Sequence, residues 1–291
     1  MLNLPLSSAL GSLTTLTLNL PDEALDISWD WRDYTGEGIR FAFFRTYEEL
    51  QELALTLETE RARAAPLTHA HRILGQYHTA YLDLHALCLG VDNTLASHPP
   101  AEGEWPVRIT LSHIAGADLG FYGVISFALE KHRTGSWTSD EKITDPDWDR
   151  ILGLTEAEYD EYLNSPFTAL LTGFHTWHAR ILHEFSAITD AELALLSRYW
   201  EKQPMSIHFR LGRFASHMRQ HTIQIEKTLH AVNGPPNEAR RLLRLLYTAL
   251  AGVDTALLGA NPDHPACSAL AQTLTARNME ITEALISETS A

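Results

Sequence analysis

Cysteine is nearly absent: Cys88 and Cys267 are the two in 291 residues, and they fall outside any CxxC frame. That excludes a disulfide framework and a cysteine-based zinc or redox motif. Two buried free thiols in a reducing compartment are the expectation. Positive charge is also short, with 22 Lys and Arg against 37 Asp and Glu and a formal net charge of -15. A nucleic-acid or anionic-membrane partner would need a basic patch. The nearest approach is Arg240, Arg241 and Arg244. No apolar run comes near the ~20 residues of a membrane span. Met1 is followed by no basic n-region of a signal peptide, so a cytoplasmic location is expected. Internal repeats and low-complexity tracts are missing too. With 45% hydrophobic and 20% charged residues, the chain reads as an ordinary globular protein.

What the chain does have is histidine, 15 in all, scattered over helix-like segments rather than gathered in a tract. The segments themselves predict a mainly α protein. Residues 1–64 read as a small N-terminal αβ extension. Thr and Leu alternate over 13–20 and residues 39–44 form an apolar run, both strand-like, before a helix over 47–61. Residues 65–233 then read as a bundle of four long helices: 68–95, 106–132, 166–188, and one opening at Pro204 or Ser206 and running to Asn233. A polar loop over 134–149 and a short helix capped by Thr155 and Glu158 lie between the second and third. Another short helix is expected over 189–200. The Asn233-Gly234-Pro235-Pro236 cluster marks a boundary, and residues 234–291 add two C-terminal helices. Long helices joined by one long connection suit a four-helix bundle.

The most informative motif is His217-Met218-Arg219-Gln220-His221 on the fourth helix. Histidines four apart share a helix face one turn apart, so one first-row metal ion could take both. A third, His113, lies in the second helix on a face shared with Gly116 and Gly120. Two facing helices could thus present His113, His217 and His221 to one point. Three neutral imidazoles suit Zn, Ni, Fe or Cu and leave a coordination position open. Asp118, Gln220 and Gln224 are candidates to fix the ring tautomers. Ordinary hydrogen-bonded core or surface histidines are the alternative.

The string Glu104-Trp105-Pro106-Val107-Arg108 leading into Leu111-Ser112-His113, followed by Phe214-Ala215-Ser216-His217-Met218-Arg219-Gln220-His221, resembles the DinB-like superfamily over about residues 68–232. The resemblance implies a four-helix bundle holding a divalent metal through one histidine on the second helix and an HxxxH pair on the fourth. It further implies a loose function class. Relatives include transferases and isomerases in which the metal activates a low-molecular-weight thiol. A related branch, the ergothioneine-type sulfoxide synthases, carries HxxxHxE, but position 223 here is Ile. Met218 likewise stands where HExxH metalloproteases need Glu.

Around the metal set, His71, His78 and His85 recur every seven residues, with His78 between Tyr77 and Tyr81. His175 and His178 are neighbours at i,i+3 on the third helix. His78, His178 and Arg213 are the candidate cofactor- or substrate-binding residues. Arg210 and Arg213 flank the approach to the HxxxH, where a carboxylate could bind, although a salt bridge is the simpler use. The expected function is a metal-dependent enzyme, with Zn or Ni, then Fe, as the metal. A small-molecule substrate and a thiol or water nucleophile complete the expectation. A homodimer is the candidate assembly, and a non-catalytic small-molecule-binding or stress-associated metal-binding module is the alternative.

Overall fold

In the computed structural model, which describes residues 3–138 and 141–289, the described residues form eleven α-helices. In chain order they are α1 (Leu4–Thr17), α2 (Ile39–Ala64), α3 (His69–Leu87), α4 (Asn93–Ser97), α5 (Val107–Arg133), α6 (Asp145–Leu152), α7 (Glu156–Asn164), α8 (Phe167–Phe185), α9 (Ile207–Asn233), α10 (Glu238–Leu257) and α11 (Pro265–Thr289). Two-residue strands β1 (Leu196–Ser197) and β2 (Met205–Ser206) pair antiparallel ahead of α9. No helix among the described residues is long and apolar enough to cross a membrane.

The chain divides into two compact units. One comprises residues 68–84 and 91–234; the other comprises residues 1–67, 85–90 and 235–291. The segments 1–64 and 234–291, read from sequence as separate additions, therefore fall almost wholly in one unit.

The unit holding the HxxxH is a bundle of α3, α5, α8 and α9. Tyr77 on α3 packs its ring on Phe214 of α9 at 4.8 Å, Tyr122 on α5 stacks with Phe185 of α8 at 5.3 Å, and Phe121 on α5 meets Phe214 at 5.4 Å. The two long helices that matter most start where their sequences say they should. The Ser206 hydroxyl accepts the Phe209 N–H, capping α9, and Gly234 at φ 78° follows its end. Along α9, Ile207, Leu211, Phe214, Met218, His221 and Ile225 are buried at helical spacing. α5 follows Pro106 and finishes on Lys131, His132 and Arg133, which suit the negative end of the helix dipole. Thr155 and Glu158 form the expected capping box of α7.

Several local expectations are corrected. The N-terminal extension is helical, not αβ. Residues 13–20 lie mostly in α1, where Leu6, Leu10, Leu13 and Thr17 are buried one turn apart, and residues 39–44 are the first turns of α2. Among the described residues there, only isolated bridges, Ser28 to Gly38 and Trp31 to Tyr34, mark paired extended backbone. The helix expected over 68–95 stops at Leu87, and Gly90 at φ 70° turns the chain before α4. Residues 189–200 form no α-helix; a 3-10 turn at Glu192–Ala194 leads into β1. The loop over 134–149 contains the start of α6, and its residues 139 and 140 lie outside the described ones.

In the other unit α1 packs on α11 and α2 on α10. Arg277 of α11, 3% exposed, donates to the Thr46 hydroxyl at 2.7 Å and to both Glu49 oxygens of α2 at 2.8 and 3.0 Å. The Asn278 amide donates to the Ala9 carbonyl of α1 at 2.9 Å.

Candidate metal centre

α5 supplies His113 and α9 supplies His217 and His221, and the three imidazoles converge. Their ligand nitrogens all lie within 4.8 Å of one another. The Nε2 atoms of His113 and His217 are 3.1 Å apart. Two nitrogens about 2.0–2.1 Å from one ion would lie roughly 2.8–3.4 Å apart in octahedral or tetrahedral geometry, so this pair already stands at the spacing of shared ligands. The ring centroids form a triangle of 4.5, 4.6 and 4.9 Å. His217 and His221 are each 8% exposed, whereas His113 is exposed. The cluster is thus closed on the α9 side and open beside His113. Trp105 stands 5.4 Å from the His113 ring, and Phe121 meets His217 edge-on at 6.1 Å.

Burial, then the neighbouring imidazoles His221 and His113 and the Arg213 guanidinium, pushes His217 down to about 4. Burial and His221 lower His113 as well. Imidazoles such as His113 and His217 that resist protonation offer lone pairs rather than charge at neutral pH, which is what a metal ligand needs. Of the candidates for fixing tautomers, Gln224 does so: His221 Nδ1 donates to its Oε1 at 2.9 Å, leaving Nε2 with a free lone pair. Gln220 is exposed, and Asp118 is engaged elsewhere. The Nδ1 of His217 is buried without a hydrogen-bond partner among the described residues.

The remaining site candidates separate. Arg213 is half-buried near His217, its guanidinium 3.4 Å from the Ser216 hydroxyl. Arg210, 1% exposed, is consumed by a bidentate pair with Glu201 at 2.7 Å per bond, so the salt-bridge use holds for it. His78 and His178 are both buried and meet each other, Nδ1 to Nε2 at 2.9 Å. Tyr81 stacks on His178 at 3.5 Å and bonds His175 Nδ1 at 2.8 Å. This second polar cluster is joined to His217 by ring contacts that run from Tyr77 through Phe214 and Phe121.

One central acid was misplaced by sequence reasoning. Asp118 is 2% exposed and accepts from the Tyr77 hydroxyl at 2.8 Å, and burial pushes its carboxyl well above the usual range. Its Oδ1 and the Tyr162 hydroxyl are buried without partners among the described residues. Nothing in the linear spacing of Tyr77 and Asp118 signals that they meet, because they come from different helices.

Comparison with known proteins adds one positive result. A family model described as the DinB superfamily matches residues 42–225, more than half of the chain and a span that includes all three histidines. No curated protein and no solved structure matches it.

Proposed function

The chain belongs to the DinB superfamily, and we propose that it is a metal-dependent enzyme in which His113, His217 and His221 hold one divalent transition-metal ion. Zn and Ni suit the three-nitrogen set first, with Fe third. The observation that supports this most is the convergence of three ligand nitrogens from two helices within 4.8 Å. A metal held there would supply Lewis acidity and lower the pKa of water or a low-molecular-weight thiol at its open position. The reaction class is transfer or isomerisation of a small electrophile.

The chain's own side chains have definable parts in this. Gln224 fixes the His221 tautomer. His217 stays neutral down to about 4. Phe121 packs edge-on against the His217 ring on the buried side of the cluster, and Trp105 stands beside His113 at its open side. Arg213, beside His217, would hold a carboxylate on the substrate. Met218 and Ile223 stand where related metal motifs carry a glutamate, so neither position supplies a carboxylate beside the pair. The two free cysteines are buried, which supports a reducing, cytoplasmic setting.

That lack of an adjacent carboxylate also favours a second reading, a non-catalytic metal-binding module. Elemental analysis of the isolated protein, with His217→Ala beside it, tests the metal. A metal-free protein whose thermal stability ignores added Zn, Ni and Fe refutes both readings. Cobalt-substituted protein then separates them. A visible spectrum that shifts on adding thiol supports the enzyme, and one unmoved by thiols or small electrophiles supports the module.

A further inference from the structure

α5 carries a second set of residues on the face that bears His113. Gly116, Gly120 and Gly123 form a stripe with spacings of four and three. Each glycine admits an aromatic side chain to the helix surface. A Cβ on Gly116 would lie 3.3 Å from the Tyr159 hydroxyl, one on Gly120 2.8 Å from the Tyr199 hydroxyl, and one on Gly123 2.0 Å from the Trp148 ring. The three aromatics come from three places: α7, the connection after β1, and α6. Trp148 and Tyr199 are tilted at 58° with centroids 6.1 Å apart, so they form walls of a notch rather than a stack.

The notch opens into a cavity of about 390 Å³ lined by Trp148, Tyr159 and Tyr199 together with Asp145, Asp149 and Glu156, and no Lys, Arg or His lines it. Asp145 and Glu156 stand in first helical turns, where the helix dipole favours an acid. Asp149 has no such reason to be there. It lies in the last turn of α6, against the dipole, and it joins no ion pair among the described residues. The nearby cations are already engaged: Arg150 with Glu130 and Asp147, and Arg210, 5.8 Å behind Tyr199, with Glu201.

We propose that this cavity is a binding site for a compact organic cation, an ammonium group seated between the three aromatic walls and facing the carboxylates. Aromatic faces present negative potential to a cation, and unpaired carboxylates add the charge complement. The volume falls within the range of small-molecule pockets. Gly120 lies seven residues beyond His113, roughly 10 Å along the helix. None of the three imidazoles lines the cavity, and the proposal stands whether or not they hold a metal.

Isothermal titration of the metal-free protein with choline, beside its uncharged isostere 3,3-dimethylbutan-1-ol, tests it. Choline should bind at one site per chain, and the alcohol at least about tenfold more weakly. The Asp149→Asn/Glu156→Gln double variant should weaken choline several-fold with its helical circular dichroism unchanged. Absence of choline binding, equal binding of choline and the alcohol, or undiminished choline binding in the double variant overturns the proposal. Should that variant fail to fold, the comparison of the two probes on the unaltered protein still decides it.

Discussion

Arg210 sits at the foot of the helix that carries the HxxxH, and its surroundings allow a quantitative test of how that helix is anchored. The guanidinium is 1% exposed, donates twice to Glu201 at 2.7 Å, and donates through Nε to the Ser197 hydroxyl at 2.9 Å. Ser197 in turn donates to the Met205 carbonyl at 2.9 Å, so one side chain ties β1, β2 and α9 together. Truncating Glu201 to Ala leaves a buried cation with a single neutral acceptor. The cost of breaking such a pair is about 3–5 kcal/mol. Glu201 retains 13% side-chain exposure, which lets water partly replace it and puts the expectation near the lower end, about 3 kcal/mol. Replacing both partners, Arg210→Met with Glu201→Leu, removes the unpaired charge and should return stability to within about 1 kcal/mol of the parent. Urea denaturation of the parent, Arg210→Met, Glu201→Leu and the double variant gives the coupling energy, with Glu201→Ala measured beside them. Fluorescence and circular dichroism should be followed together, because a chain of two compact units need not unfold in one step. If Glu201→Ala costs less than about 1 kcal/mol, as an exposed ion pair would, the buried-anchor reasoning is refuted.

Two further outcomes follow from the same geometry. Gln224→Leu removes the hydrogen-bond partner of His221 Nδ1 and should weaken metal affinity by about 10-fold or more while leaving the fold intact; equal affinity in competition with a chelator would show that the ring needs no orienting partner. The metal-free protein should also lose stability on acidification. His217 and His175 are each pushed down to about 4, chiefly by burial. The unfolded chain therefore takes up protons below about 6.5 that the folded chain refuses until about 4. The stability is full above pH 6.5 and drains between 6.5 and 4. The loss is at most about 3 kcal/mol per group, less where solvent reaches the ring. Denaturation midpoints that stay flat from pH 7 to 4.5, measured with chelator present, would contradict the assigned burial.

The sequence was most legible where one helix carried its own signals. Ser206, the buried spacing from Ile207 to Ile225 and Gly234 delimit α9 with no help from the rest of the fold. Pro106 and the HxxxH frame allowed the three histidines to be named together. Legibility failed where side chains answer to tertiary partners. In α1 the alternating Thr and Leu mimic a strand. The helix accommodates the threonines because Thr14 and Thr17 donate back to the Leu10 and Leu13 carbonyls. The leucines at 6, 10 and 13 are the period that prevails, and they are buried in a unit whose other half lies more than two hundred residues away. The same holds for Asp118, which reads as a neighbour of His113 in the linear string but is turned toward Tyr77 in the bundle core. The β1–β2 pair is two residues long on each side, below anything that periodicity can register.

The unit built from both ends of the chain has a temporal consequence. α1 and α2 leave the ribosome well before α11 and α10, against which they pack. Residues 68–84 and 91–234 can collapse during synthesis, since their partners are already at hand. Leu6, Leu10, Leu13 and Phe43 must meanwhile wait uncovered, or under a chaperone, for the final helix. Closing contacts such as Asn278 to Ala9, 269 residues apart in sequence, is the slow, high-separation kind of event. A stop codon within or ahead of α10 and α11 would therefore strand the apolar faces of α1 and α2 that those helices cover.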